Sequence, residues 1–359
     1  MNKTNNTTRN NSTISSRKRN RQKDNLKNCQ RSNHNRQRSN RKIINWGEYN
    51  KALVNRGNVS IYVSEAIAKK VFLRPEAAKN PQGGHPRDYS DDLILLILTI
   101  RELFQLPLRQ TTGFMNNLLR VMRLHWQLPD YSTLSRRMGK LEVDFCRQFR
   151  GQLSHGKEVV LLIDSSGFKV FGEGEWKVRK HGYSYRRTWR ETHLAIDATT
   201  RDILGLINTK SSVHDNTQLE PLLTQVRAKH HVKTVIGDGA YDAKDSYLLA
   251  RKLGLELVVP PPKNATEHIN MYHYHIYDTP GWEERNAVVR RVEEVGIDKW
   301  KQETGYHQRS LVENAYSRLK TIFGGKLKSR SEQTQNTEQH VRASLINRFN
   351  VLGLPKYAV

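Results

Sequence analysis

The period of the apolar positions changes along the chain. Residues 1–43 hold Asn, Ser, Arg and Lys with no apolar stripe, and this composition predicts a disordered tail. NWGEYNKALVNRGNVSIYVSEAIAKKVF (45–72) begins an ordered, mixed segment, and NPQGGHPRDYS (80–90) reads as a linker. From Ser90, SDDLILLILTIRELF combines an N-cap, early acids and a helical apolar period. PLRQTTGFMNNLLRVM (107–122) predicts a second helix with Pro107 in its first turn. In LPDYSTLSRRMGKL (128–141), a turn and a cap at Ser132 lead into a short basic helix. After residue 155 the pattern turns to strands. VVLLID (159–164) is continuously apolar, as in a strand buried on both faces. HLAID (193–197), the turn ATTRD and ILGLINTK (203–210) predict a hairpin. VKTVIGD (232–238) and LELVVP (255–260) are two further strands on either side of the helical YDAKDSYLLARKLG, and residues 261–304 read as an irregular insertion. The fold class is therefore α/β, a mixed sheet flanked by helices behind a mostly helical N-terminal part.

Composition adds a partner. The 359 residues carry a formal net charge of +25. Residues 1–43 hold 13 basic residues and one acid, so without them the chain retains +13. A surplus of that size repels itself until a polyanion neutralises it, which points to nucleic acid. Two cysteines, Cys29 and Cys146, make neither a disulfide framework nor a zinc cluster. The N-terminus has no apolar core of a signal peptide, and LILLILT (93–99) is too short to cross a bilayer. These features predict a cytoplasmic protein with no membrane partner. The consecutive helices of 107–140, ending in Arg136 and Arg137, have the layout of a helix-turn-helix, although basic helical pairs are also common in ordinary domains. WKVRKHGYSYRRTWR (176–190) mixes six basic residues (Lys177, Arg179, Lys180, Arg186, Arg187, Arg190) with four aromatics and no acid. That mixture suits a DNA backbone and unstacked bases, and a solvated basic loop would read the same way.

Candidate chemistry lies in acids at strand ends. Asp164 closes VVLLID and Asp238 closes VKTVIGD, each with glycine nearby. Ligands of open α/β sheets bind outside the carboxyl ends of strands, though an Asp there also starts an ordinary turn. In GYHQRSLVENAYSRLK (305–320), Tyr306, Arg309, Glu313 and Lys320 fall within roughly a 60° arc at helical spacing. Leu311, Val312, Ala315, Tyr316 and Leu319 cover the opposite side. Arg309 and Glu313 also have the spacing of an exposed i,i+4 ion pair. Three carboxylates from two strands and a helix would make a hard oxygen site for Mg²⁺ or Mn²⁺. His268, His273 and His275 lack the spacing of a zinc site, and Asp197, Asp202, Asp242 and Asp245 are decoys, Asp202 belonging to the hairpin turn.

These residues carry a resemblance. Asp164, Asp238 and Glu313 resemble the DDE triad of bacterial insertion-sequence transposases, and Tyr306-x2-Arg309-x3-Glu313-x6-Lys320 matches their YREK signature. IDSSGFKVFGEGEWKVRKHGYSYRRTWRETHLAID, DGAYD, PPPKNA, GYHQRSLVENAYSRLKTIFGGKL, NWGEYNKALVNRG and INRFNVLGLP are similar to the insertion sequence five family, over residues 45–355. Val312-Glu313-Asn314 stands where Ala-Glu-Thr is commoner, and spares the acid. The resemblance implies an RNase H-like catalytic domain, with the first Asp on the first strand, the second just after the fourth, and the Glu on a later helix. It divides the chain into a tail (1–43), a helical DNA-binding domain (44–150), a catalytic domain (155–335, insertion at about 261–304) and a C-terminal helix and tail (336–359).

It also implies an activity: hydrolysis at the terminal inverted repeats of a transposon, then attack of the freed 3′-hydroxyl on target DNA, in a dimer or larger complex associated with the bacterial nucleoid. Asp164, Asp238 and Glu313 would hold the metal, Arg309 and Lys320 would contact phosphates, and Tyr306 would position the DNA end. A nuclease that cuts without joining, and a DNA-binding regulator that has lost catalysis, share the same features.

Overall fold

The computed structural model describes residues 42–71, 89–145, 158–170, 189–268 and 280–358. The linker over 80–88, most of the basic tail, and Lys177, Arg179, Lys180, Arg186, Arg187, His273 and His275 lie outside the described residues.

By its internal contacts the chain divides into two units, residues 54–352 and a smaller one made of 1–53 with 353–359. In the smaller unit, Ile43 and Tyr357 form an antiparallel bridge, extended by bonds from Ile44 N to Lys356 O (2.9 Å) and from Ala358 N to Lys42 O (3.0 Å). Helix α1 (Trp46–Arg56) follows, its last three residues already counted in the larger unit.

The larger unit begins with four helices after α1: α2 (Val59–Ala68), α3 (Asp91–Leu103), α4 (Leu108–Val121) and α5 (Tyr131–Met138). Helix α3 starts as its sequence dictates. The Ser90 hydroxyl accepts the amide of Leu93 (3.1 Å), Asp91 and Asp92 occupy the positive first turn, and Leu93, Ile94, Ile97, Leu98 and Ile100 are buried. Two expected starts shift by a residue or more. Pro107 is the N-cap of α4 rather than a first-turn residue. Asp130, not Ser132, caps α5, because its carboxylate reaches the Ser132 amide.

Among the described residues six strands follow: β1 (Glu158–Val170), β2 (Trp189–Asp197), β3 (Ile203–Lys210), β4 (His231–Ile236), β5 (Glu256–Val258) and β6 (Lys326–Leu327). Their order is β3-β2-β1-β4-β5, with β6 on β1. The β1–β2 and β2–β3 pairs are antiparallel, whereas β4 and β6 join β1 in parallel and β5 joins β4 in parallel. Leu161, Leu162 and Ile163 are fully buried, as a central strand requires. Helices α6 (Leu219–Arg227) and α7 (Lys244–Leu253) follow β3 and β4 in sequence. Residues 282–303 are helical where an irregular insertion was expected: α8 (Trp282–Val295) and α9 (Ile297–Glu303). A charge-rich sequence hides the stripe of α8, but Glu284 returns a bond to the Gly281 amide (2.6 Å) and Arg285 clamps Asp242. Helix α10 (Ser310–Phe323) precedes β6, and α11 (Glu332–Leu352) ends the unit.

Candidate active site at the parting of two strands

Asp164 does not end its strand. β1 continues to Val170, and Asp164 sits in its middle, paired with Leu194 of β2. What ends there is the pairing with β4, whose last partner is Ile236 opposite Leu162. Beyond that point β4 turns away through Gly237 to Asp238, whose carboxylate caps a short 3₁₀ turn by accepting the Ala240 amide (3.0 Å). A crevice therefore opens between β1 and the departing chain. Gly237 permits this turn, since a Cβ there would meet the Tyr241 ring at 2.9 Å and Ile163 at 3.1 Å.

The third wall comes from α10. Tyr306 and Arg309 are not on the same α-helix as Glu313 and Lys320; they lie in a 3₁₀ turn that precedes Ser310. Residues three apart eclipse one another in a 3₁₀ turn, so Tyr306 and Arg309 still share one side. Gly305, at φ +66°, supplies the left-handed residue that starts the turn. Tyr316, on the buried side of α10, places its hydroxyl within 2.8 Å of the Asp164 carbonyl and 2.6 Å of the Thr192 carbonyl. The periodicity assigned Tyr316 to the apolar stripe, but no spacing along the sequence reveals which backbone carbonyls its hydroxyl meets.

One cation joins the acids. Arg309 sets Nη1 at 2.8 Å from Glu313, and Nη2 at 3.5 Å from Asp164 and 3.8 Å from Asp238. The three side chains are 14%, 34% and 56% exposed in the order Asp164, Asp238, Glu313, so the site has a floor and a mouth. Burial pushes the Asp164 carboxyl up to about 6; Arg309 opposes that shift, and Asp238 and Glu313 add to it. For Arg309, burial works against the charge, but Asp164, Tyr306, Asp238 and Glu313 together hold its pKa above the ordinary value. Burial also raises the Tyr306 phenol, whose ring lies 6.0 Å from that of Trp300. Lys320 donates to the Ser166 hydroxyl (2.6 Å) and lies over the Phe168 ring.

Among the described residues, no three His, Cys, Asp or Glu side chains are gathered tightly enough to hold one ion as they stand. The donor set nevertheless suits a hard divalent cation, because it offers three carboxylates and no sulfur or imidazole. All three already converge on a single positive group.

The other candidates are distributed elsewhere. Arg190 is 5% exposed and paired with Glu332 (3.1 Å). Arg137 bonds the Tyr89 carbonyl (3.1 Å) and pairs with Asp91, whereas Arg136 is exposed. His268 stacks on Trp282 at 4.0 Å. Asp197 caps the hairpin turn through Thr199 and Thr200, and Asp202 accepts from Asn350. Asp242 is bound by Arg285 and Tyr247, and Asp245 lies in the first turn of α7. A polar group absent from the sequence reading flanks the site: Glu191 beside Ser165 (3.3 Å), and buried His193 beside Asp215 (3.6 Å). No helix among the described residues is long and apolar enough to cross a membrane.

The three carboxylates thus come from a central strand, from the turn after its parallel neighbour and from a covering helix. A family model described as a transposase DDE domain matches residues 155–348, and a second with the same description matches 54–173; the chain belongs to the DDE-domain transposases. An uncharacterized protein of Aquifex aeolicus is 29% identical over 228 residues, covering 58% of this chain and 64% of that relative's length. Two solved structures align over much of the chain. The Drosophila P element transposase strand transfer complex is 11% identical and covers 83% of this chain and 89% of its own, at a TM-score of 0.30. The Mos1 strand transfer complex is 13% identical and covers 69% and 81%, at a TM-score of 0.22.

Proposed function

We propose that this chain is a transposase of the insertion sequence five family, in its YREK group, with an RNase H-like catalytic fold. It binds the terminal inverted repeats of its element, hydrolyses the DNA ends and joins them to target DNA. One observation carries the reading: the carboxylates of Asp164, Asp238 and Glu313, drawn from β1, the turn after β4 and α10, all border the Arg309 guanidinium. The strand order β3-β2-β1-β4-β5, antiparallel on one side of β1 and parallel on the other, supports the fold assignment.

Mg²⁺, or Mn²⁺ in its place, held by the three acids, would supply Lewis-acid stabilisation of the attacking and leaving oxygens. The chain's own residues supply the rest. Buried Asp164 and the capped Asp238 fix two donors, while exposed Glu313 closes the mouth from a helix anchored by Tyr316. Lys320 adds positive charge beside Ser166, within the part of β1 that lines the crevice, and Tyr306 positions the DNA end. First, water cleaves the terminal phosphodiester and leaves a 3′-hydroxyl. That hydroxyl then attacks a target phosphodiester, so one ester forms as another breaks. The net charge of +25 supplies affinity for the DNA backbone, with Arg136 on the exposed face of the helix-turn-helix-like pair α4–α5. Pairing of two ends requires at least a dimer, and the working compartment is the bacterial cytoplasm at the nucleoid.

A pre-cut transposon end incubated with protein, Mg²⁺ and plasmid tests this reading. Joined products are expected, and Glu313→Gln lowers their rate on the order of 10²–10³-fold, the cost of losing one preorganised charge-stabilising group. Cleavage without joining would assign a nuclease instead. Equal binding with no cleavage above the variant would leave a DNA-binding regulator.

A further inference from the structure

We propose that Arg309 is the resident cation of this site, which a divalent ion must displace, and that DNA completes the exchange by giving the guanidinium a phosphate. The inference rests on the reading that Asp164, Asp238 and Glu313 hold the metal.

Three carboxylates brought together in a partly buried crevice repel one another and lose hydration, so the fold needs a positive group among them. Arg309 provides it. Its two terminal nitrogens reach all three acids, its Nε is buried without a hydrogen-bond partner, and its side chain is 21% exposed. The acids' lone pairs therefore face the guanidinium before any ion arrives. An incoming divalent ion competes for the same oxygens, and the lost guanidinium–carboxylate attraction is subtracted from its binding.

Arg309 is built to leave. It closes a short 3₁₀ turn entered through Gly305 at φ +66° and is the N-cap residue of α10, so its side chain projects from the helix end and can swing while Glu313 stays in place. A DNA phosphate near the crevice offers the freed guanidinium a bidentate partner of the same sign as the carboxylates it left. Metal and DNA binding then assist each other, and the assistance is reciprocal by linkage. The free protein holds metal weakly and the DNA complex holds it well, which keeps hydrolytic capacity tied to the substrate.

The test is Mn²⁺ binding to the full chain, followed by electron paramagnetic resonance of the free ion. Wild type, Arg309→Ala, Arg309→Gln and Glu313→Gln are compared without DNA, and wild type also with a mixed-sequence duplex. Circular dichroism checks the fold of each variant. The expected result is binding about tenfold tighter in both Arg309 variants, within the range of ordinary site–site coupling, and weaker in Glu313→Gln. Wild type is expected to tighten when the duplex is added. If Glu313→Gln weakens binding while the Arg309 variants bind no tighter than wild type, the resident-cation inference is wrong and the metal assignment stands. If Glu313→Gln binds Mn²⁺ as wild type does, the metal assignment fails and takes the inference with it. The duplex measurement needs no variant, and an unchanged wild-type affinity overturns the coupling.

Discussion

Tyr316 illustrates how much a single atom adds to a side chain whose place in the pattern was already clear. Helical spacing puts it in the buried stripe of α10, and it is 5% exposed. Its hydroxyl then supplies what the sheet withholds, because the Asp164 carbonyl lies past the last β1–β4 pair. Tyr316→Phe keeps the packing and removes the donor. We expect a loss of about 1–2 kcal/mol in urea unfolding, with a parallel fall in end cleavage. His340 makes a second prediction at this scale. Burial lowers its pKa below the ordinary value, so the folded state favours the neutral ring. The unfolded chain then binds the extra proton as pH falls through about 6.5. The contribution is complete above that pH and declines below it. Denaturant unfolding at pH 7.5 and 5.5 should show a smaller drop for His340→Gln than for wild type.

Among the elements, β1 and α10 were each half legible. The apolar run VVLLID located the core of β1, but the polar SSG that follows hid its continuation to Val170. That continuation is held by β2 as far as Lys169 and by β6 at Lys169 and Val170. The signature spacing placed Tyr306, Arg309, Glu313 and Lys320 on one side, and they are on one side. The change from a 3₁₀ turn to an α-helix at Ser310 was not visible, because both periods tolerate the same residues over a single turn. The turn after β4 gives the prediction at this scale. The Cβ of Gly237→Ala would collide with Tyr241 and Ile163, both fully buried. A loss of about 1–3 kcal/mol in thermal or urea unfolding is expected, together with weaker metal binding as Asp238 is displaced.

Within the larger unit, a buried ionic cluster ties the helical segment to the end of the fold. Arg342 of α11, fully buried, bonds Glu102 of α3 (2.9 Å) and Glu338, with Arg101 beside Glu102 at 3.0 Å. Burial alone would raise the Glu338 carboxyl, but Arg342 and Arg101 hold it below the ordinary range. Arg342→Ala removes the guanidinium shared by two buried acids, leaving Glu102 with Arg101 and Glu338 with backbone amides, and a cost of about 3–5 kcal/mol is expected in equilibrium unfolding. None of this cluster was legible, since a charged residue within a helix reads as solvated until its partners are known. Asp164 and Arg309 stand 145 residues apart, and the hint that they meet came from residue types, strand endings and the resemblance to the DDE and YREK signatures. The parting of β1 from β4 has a mechanical consequence. From Ile163 to Phe168, β1 is laddered to β2 alone, while Asp238 sits in a turn wedged by Tyr241 against Ile163. We expect the amides of this one-sided stretch to exchange their hydrogens faster than those of Leu161 and Leu162, which are paired on both edges.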